Sequence, residues 1–466
     1  METRLIASLR PNIRNLDDMA IAPFITPLQS DSFWIVNARL PLALLDDTVS
    51  YRDVIGQLAA PPFSEALVAA DVEIRAGKIV AIAPLGSAPS DTVSLDLGRG
   101  LVFPCFVDLH THLDKGQIWN RAPNPDGTFD GALKTVMADA DSWSAADLYQ
   151  RMEFGLRCSY AHGTKAIRTH FDAFGDMAKT ALLVIQQLRH EWRDRIELQA
   201  VCLVSLDYFL TPEGEPLADL VAENGAILGG VAYPNPDLET QIDRVFALAA
   251  ERDLALDFHV DESLDPASMC LRHVAKAKLR HGFAAPVLCG HCCSLSVQSP
   301  EAVAETLQWV KDAEMGIVSL PMCNLYLQDR HPGQMPRYRG VTLLHELKRQ
   351  GIPIAVASDN CRDPFYAYGD HDGLEVLTQS VRIGHLDRPF ADWSRAVTWT
   401  PADLMGLPDA GRIGIDQPAD LVLFKARSFN ELLSRPQSDR VVLRKGSAID
   451  PTLPDYAELD NLLEIS

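Results

Sequence analysis

The sequence predicts an α/β protein: a (β/α)8 TIM-like barrel with a small discontinuous β-domain built from the N- and C-terminal flanks. Three observations carry that prediction. Between about residues 100 and 400, eight short runs rich in Val, Ile and Leu alternate with amphipathic segments of helical length, the pattern of parallel βα units. On either side of this region apolar residues alternate with polar ones and are punctuated by turn signals, the pattern of antiparallel strands. No fixed-period repeat, low-complexity tract or Gly-rich phosphate loop competes with this reading.

Residues 1–30 form an N-terminal extension with no assignable periodicity. Residues 33–45 and 66–82 alternate around a turn at Ala76-Gly77-Lys78, and 419–424 and 440–443 do the same around Gly411, Gly414 and Gly446. Each flank is too small to bury a core alone, so 31–100 and 408–450 are expected to pair into one composite β-domain. The barrel then spans 101–407, with strands at 101–109, 164–169, 197–204, 226–232, 254–258, 286–289, 316–320 and 352–357. Helix ends are marked by Ser144 with Asp147, by Ser299 before Pro300, and by Gly163 and Gly351 as stops. An acidic tail, 451–466, closes the chain.

The 466 residues carry 42 Lys plus Arg against 63 Asp plus Glu, a formal net charge of -21, and 47% are hydrophobic. Such a chain is globular, and its charge argues against a nucleic-acid backbone or an anionic membrane surface as partner. Small molecules, and further copies of the chain in a homo-oligomer, are the expected partners. No run approaches the ~20 apolar residues of a membrane-spanning helix, and the first 18 residues lack a signal-peptide core. Nine cysteines, an odd number, fit reduced thiols and a cytoplasmic setting.

Candidate chemistry gathers at the C-terminal ends of the predicted strands, where barrel active sites lie. The first strand ends in Asp108-Leu109-His110-Thr111-His112-Leu113-Asp114-Lys115, and side chains two apart on a strand share a face. His259 ends the fifth strand, His291 the sixth and Asp359 the eighth. Three imidazoles and a carboxylate suit one borderline divalent ion, Zn or Fe(II), better than Ca or Mg. Water activated there needs a neighbouring group to move its protons, and the sequence leaves Asp261 and Glu262 open for that role. Asp359 and Asp363 are equally open, because Asp363 can serve as a helix cap. Cys289-Gly290-His291-Cys292 spells a redox motif, but inside a large barrel its thiols read as packing residues. His162, His190, His273, His281, His345 and His385 fall on helices or loops and read as structural or solvated.

These residues resemble the amidohydrolase superfamily and, within it, the cytosine deaminase branch. The likeness runs from about 33 to 446. It rests on His110-Thr111-His112-Leu113-Asp114, Arg168-Thr169-His170-Phe171-Asp172, Asp257-Phe258-His259-Val260-Asp261-Glu262, Gly290-His291, the stretch 324–330 with Arg339-Gly340, and Ser358-Asp359-Asn360. The stretch 414–421 is similar to the superfamily's closing strand motif, and 118–131 lies where the branch has a loop over its site. The resemblance implies a single metal held by His110, His112, His259 and Asp359. It also implies Glu262 as proton shuttle, His291 as the group that orients the water and stabilises the electrophile, and Asp359 as acceptor of the water proton. Attack on a ring amidine carbon would then release ammonia. Two-metal relatives use a bridging lysine on the fourth strand; no lysine occurs between Thr180 and Ala275, so one metal is expected.

The departures concern the substrate. Where cytosine deaminases carry a glutamine that reads the pyrimidine amide edge, the resemblance places Ser205, followed by Asp207. A short hydroxyl leaves a gap for a larger ring, or leaves the reading to Asn360 or Asp207. Phe365 replaces a tryptophan, and Pro104-Cys105-Phe106 replaces Pro-Gly-Phe. The expected activity is metal-dependent hydrolytic deamination of a cytosine-like heterocycle, with Ser205, Asp207, Asn360 and Phe365 as candidate substrate contacts. Residues 112–115 and 358–363 also look like the triazine-ring aminohydrolases, so release of an alkylamine, or hydrolysis of a cyclic amide, is the alternative. A non-catalytic binding protein is the third class.

Overall fold

The computed structural model describes residues 24–26, 30–49, 65–388, 390 and 392–463, so nearly all of the expected N-terminal extension lies outside the described residues. Eight parallel strands position the site: β1 (Phe106–Thr111), β2 (Thr164–Asp172), β3 (Glu197–Leu203), β4 (Leu228–Ala232), β5 (Leu256–Val260), β6 (Val287–His291), β7 (Gly316–Ser319) and β8 (Ile354–Val356). They form two sheets, ordered β1-β2-β3 and β8-β7-β6-β5-β4. Parallel bridges span both seams: Ser205 with Val231 between β3 and β4, and Thr111 with Asp359 between β1 and the residues after β8. Each of the eight apolar runs overlaps one of these eight parallel strands. β5 and β6 extend two residues past the runs because the pairs His259 with Gly290 and Val260 with His291 continue the ladder.

The run at 101–109 is not one strand. Leu101–Pro104 pairs antiparallel with Leu421–Phe424, and β1 begins afresh at Phe106 against β2. Pro104 has no N–H to continue a ladder, and the chain crosses between sheets at Cys105, whose amide bonds Asp420 O at 2.9 Å. The first of the eight parallel strands therefore begins at Phe106 and not at Leu101.

Leu101–Pro104 belongs to a second, eight-stranded sheet. That sheet takes Ser32–Pro41, Leu67–Arg75, Lys78–Pro84 and Ser94–Asp96 from the N-terminal side, and Leu421–Phe424, Val441–Arg444 and Ser447–Ala448 from the C-terminal side. Ile35, Leu40, Val72, Ile79, Leu421 and Leu443 share one apolar cluster on it. Ala76 and Gly77 both have positive φ, 49° and 77°, as a tight hairpin turn between two strands requires.

The helix starts follow their caps: Ser144 Oγ accepts the Asp147 amide and Ser299 Oγ the Ala302 amide. The Asp147 carboxylate turns away to Arg121 and Arg151, so only half of a capping box forms. Beneath the site, Val107, Leu109, Leu288, Val318 and Ala355 pack with Ala402 and Met405. The acidic tail docks: Leu459 is buried against Phe154 and Cys158. All nine cysteines are free and buried, and burial pushes every thiol up, so the Cys289–Cys292 pair lacks the low-pKa thiol that redox work needs. Among the described residues, no helix is long and apolar enough to cross a membrane.

Candidate active site

Strands β5, β6 and β8 each deliver their residue through left-handed backbone: Asp261 (φ 54°), His291 (φ 68°) and Asp359 (φ 64°). A non-glycine residue held this way costs about 1–3 kcal/mol, a strain that clusters at functional sites. Asp359 is fixed by its amide, which bonds His110 O at 2.9 Å, and Asp261 by its carbonyl, which accepts the Ser294 amide at 3.1 Å.

Together with β1 and β2, these ends gather five imidazoles, His110, His112, His170, His259 and His291, and the Asp359 carboxylate. The His110 ring centroid lies 4.6 Å from His259, 5.3 Å from His112 and 5.3 Å from His291. Asp359 Oδ1 is 3.6 Å from His110 Nε2 and 3.4 Å from His112 Nε2, and His112 Nε2 faces His259 Nε2 at 3.3 Å. A Cβ on Gly290 would stand 3.1 Å from His110 Cε1, so the glycine in β6 leaves room for that ring.

Burial holds His110, His112 and His259 well below the ordinary imidazole value, reinforced by neighbouring rings and, for His112 and His259, by Lys115. They are therefore neutral, with lone pairs to give. Both ring nitrogens of His110, Nδ1 of His112 and His259, and both oxygens of Asp359 have no hydrogen-bond partner among the described residues. A buried polar group left unpaired costs about 1–3 kcal/mol, and a divalent cation between these donors removes that cost. His110 and His259, with His291, bring donor atoms within 4.8 Å of one another. The donor set fits a borderline metal ion, and we propose His110, His112, His259 and Asp359 as its ligands.

Geometry separates the two carboxylate pairs that the sequence left open. Asp261 accepts from Ser268 Oγ at 2.8 Å, Cys270 N at 2.7 Å and Leu271 N at 2.9 Å, capping the helix Cys270–His281. Glu262 instead points Oε1 at His291 Nδ1, 3.2 Å away. Burial works against a charge on His291, but Glu262 and Asp359 outweigh it and raise its pKa above the ordinary value. Asp363 is spent on a turn: it accepts the Phe365 and Tyr366 amides at 2.8 and 3.1 Å and Asn360 Nδ2 at 2.7 Å. Burial lifts it to about 7.

The four candidate substrate contacts divide. Phe365 packs edge-on against Phe129, 5.5 Å between centroids, with Lys115 Nζ 5.8 Å from its ring. Asn360 is buried with its amide engaged by Asp363. Ser205 Oγ bonds Asp207 on the turn after β3, and no described contact joins either to the imidazoles. A cavity of about 310 Å³ opens from His259 and Glu262 toward Phe129, Asp130, Tyr233 and Pro234.

Three further residues belong to the site. His170, fully buried in β2, lies 4.0 Å from the His110 ring and 3.4 Å from Asp257 Oδ1. Lys115 pairs with Asp172 at 2.6 Å. Asn324 Nδ2 donates to Glu262 Oε1 at 3.0 Å and stands 3.0 Å from His291 Nδ1. All three sit inside stretches that the sequence singled out; period-two alternation along β2 alone would have placed His170 with Arg168 on one face. The excluded histidines are elsewhere, with His162 on Asp370 and His281 on Asp243.

Residues 218–449 match the model of the amidohydrolase family. A pterin deaminase of Rhizobium rhizogenes is 49% identical over 442 residues, covering 94% of this chain and 99% of that protein. The N-isopropylammelide isopropyl amidohydrolase of a Pseudomonas species is 25% identical, over 72% of this chain and 82% of its own. Among solved structures, the 5-methylcytosine deaminase of Klebsiella pneumoniae liganded with phosphonocytosine superposes with a TM-score of 0.75 at 25% identity, covering 89% of this chain and 97% of that one. Identity at that level along almost the whole length, on this fold, leads to one conclusion: the chain belongs to the amidohydrolase superfamily, in its deaminase-like branch.

Proposed function

We propose that the protein is a metal-dependent hydrolytic deaminase acting on a ring amidine of the pterin class. We read the two parallel sheets, bridged at both seams, as one closed (β/α)8 barrel, with the flank sheet as a composite β-domain beside it. The observation that carries the activity is Glu262 against His291 at the edge of a buried His/Asp donor set. The substrate class is supported by the 49%-identical pterin deaminase. A pterin keeps the aminopyrimidinone expected of a cytosine-like substrate and adds a second ring. The cavity of about 310 Å³ that Phe129 and Tyr233 help to line suits that ring.

A divalent ion held by His110, His112, His259 and Asp359 would supply Lewis acidity and a nucleophilic water at neutral pH. The chain's own residues handle the protons. Glu262 takes one proton from the attacking water and delivers it to the leaving amino group, and the adduct's remaining hydroxyl proton, accepted by Asp359, ends on the ring nitrogen, so that ammonia departs and a carbonyl remains. His291 Nε2, buried and unpartnered among the described residues, is free to hold the water or the developing charge.

The test is ammonia release by the metal-loaded protein from pterin, isocytosine, cytosine and an alkylamino-triazine. Pterin turnover that is lost in Glu262→Gln supports the reading. Alkylamine release from the triazine with pterin untouched replaces it, and full ammonia release by Glu262→Gln refutes the proton path.

A further inference from the structure

We propose that Asn324 is a positioning residue for the reaction: it fixes one oxygen of Glu262 so that the other alone carries protons. The proposal rests on the reading of Glu262 as the proton shuttle. Asn324 is fully buried, in the helix Pro321–Leu327 that follows β7. Its Nδ2, Glu262 Oε1 and His291 Nδ1 form a triangle with sides of 3.0, 3.0 and 3.2 Å.

Three features point to service of Glu262 and not to packing. Asn324 Oδ1 is buried without a partner among the described residues, so nothing anchors the amide by its other end. A purely structural asparagine uses both ends, because the unpaired one is costly. Turning the amide over would set Oδ1 against Glu262 Oε1, acceptor against acceptor, so the hydrogen bond to Glu262 sets the orientation seen. Finally, Gln328, one turn further along, donates to the Glu262 carbonyl at 3.2 Å. The same segment thus grips Glu262 at both side chain and main chain. Gly340, with φ 69°, passes so close that a Cβ there would lie 2.2 Å from Gln328 Cβ, which gives Arg339-Gly340 a structural reason.

With Oε1 committed to Asn324 and facing His291, Oε2 accepts no hydrogen bond from any described residue. It is the oxygen left to take a proton from water and return it to the leaving group. Removing the Asn324 amide frees the carboxylate to rotate, and such misplacement of a reacting group costs about 100-fold in rate.

The experiment is a double-mutant cycle on the metal-loaded enzyme with Asn324→Ala, Glu262→Gln and both together. Metal content and unfolding midpoint are measured for each, and Asn324→Ser stands in where the alanine variant folds poorly. We expect Asn324→Ala to lower kcat about 100-fold with KM and metal content held, and to add nothing on the Glu262→Gln background, since a residue acting through another is silent once that other is gone. Additive losses, lost metal, or an unchanged kcat overturn the role of Asn324. An active Glu262→Gln enzyme overturns the shuttle itself, so the two failures are distinct.

Discussion

Asp261 and Glu262 are adjacent in sequence and do opposite work: Asp261 Oδ1 takes the Cys270 amide at 2.7 Å, while Glu262 Oε1 stands 3.2 Å from His291 Nδ1. The left-handed turn at Asp261 sends one carboxylate back into the helix start and leaves the next at the cavity.

This division predicts different phenotypes for two conservative changes. Glu262→Gln loses at least about 100-fold in kcat, the share a positioned acid–base group supplies, with the unfolding midpoint unchanged. Asp261→Asn keeps most of its kcat but loses about 2 kcal/mol of stability, the upper range for a helix cap. Ammonia assays and thermal melts on both variants check the pair.

Stripping the metal with a chelator abolishes turnover and lowers stability by about 3 kcal/mol relative to protein with the ion well above its dissociation constant. Zinc or ferrous ion restores both. His259→Asn and Asp359→Asn each reduce bound metal, read by elemental analysis of the purified protein, whereas His162→Asn does not, because His162 pairs with Asp370 away from the cluster.

Asp372 predicts an acid-sensitive stability unrelated to catalysis. Burial opposes its charge, but Arg440, bonded to both oxygens at 2.7 and 2.6 Å, and His162 hold the carboxyl down at about 2. A depressed folded-state value stabilises above the unfolded value near 3.8 and ceases to do so as pH falls through about 2. Asp372→Asn therefore costs about 2 kcal/mol at neutral pH, and the gap between variant and parent closes in denaturant titrations as pH drops from 4 toward 2.

Much of this architecture was legible in the sequence because apolar runs, caps and turn residues act locally. The eight parallel strands, the Ser144 and Ser299 caps and the Ala76-Gly77 hairpin followed from such signals. The break at Cys105 was not legible, since an unbroken apolar run hides a change of sheet that only Pro104 hints at. Nor were the roles of Asn324, His170 and Lys115. Their motifs were visible, but which donor meets which acceptor depends on loops from β1, β2, β5, β6 and β7 converging in space. Spacing alone left Asp261 and Glu262 open for the same reason, strand alternation ending where the backbone turns left-handed, and it was the family resemblance that named Glu262.

The cavity wall predicts a split between one-ring and two-ring substrates. Tyr233 and Phe129 both line the cavity, and the Tyr233 phenol is raised to about 12 by burial and by the charge of Glu262. Tyr233→Ala raises KM for pterin about tenfold, as loss of one aromatic contact does, and leaves KM for isocytosine unchanged.

The most direct test of the central claim is turnover of pterin by metal-loaded protein in water enriched in oxygen-18. Hydrolytic deamination predicts one ammonia per turnover and one labelled oxygen on the ring carbon that lost its amino group. A product that keeps the amino group and gains label through ring opening, or an inert pterin in the presence of a full complement of metal, would contradict it.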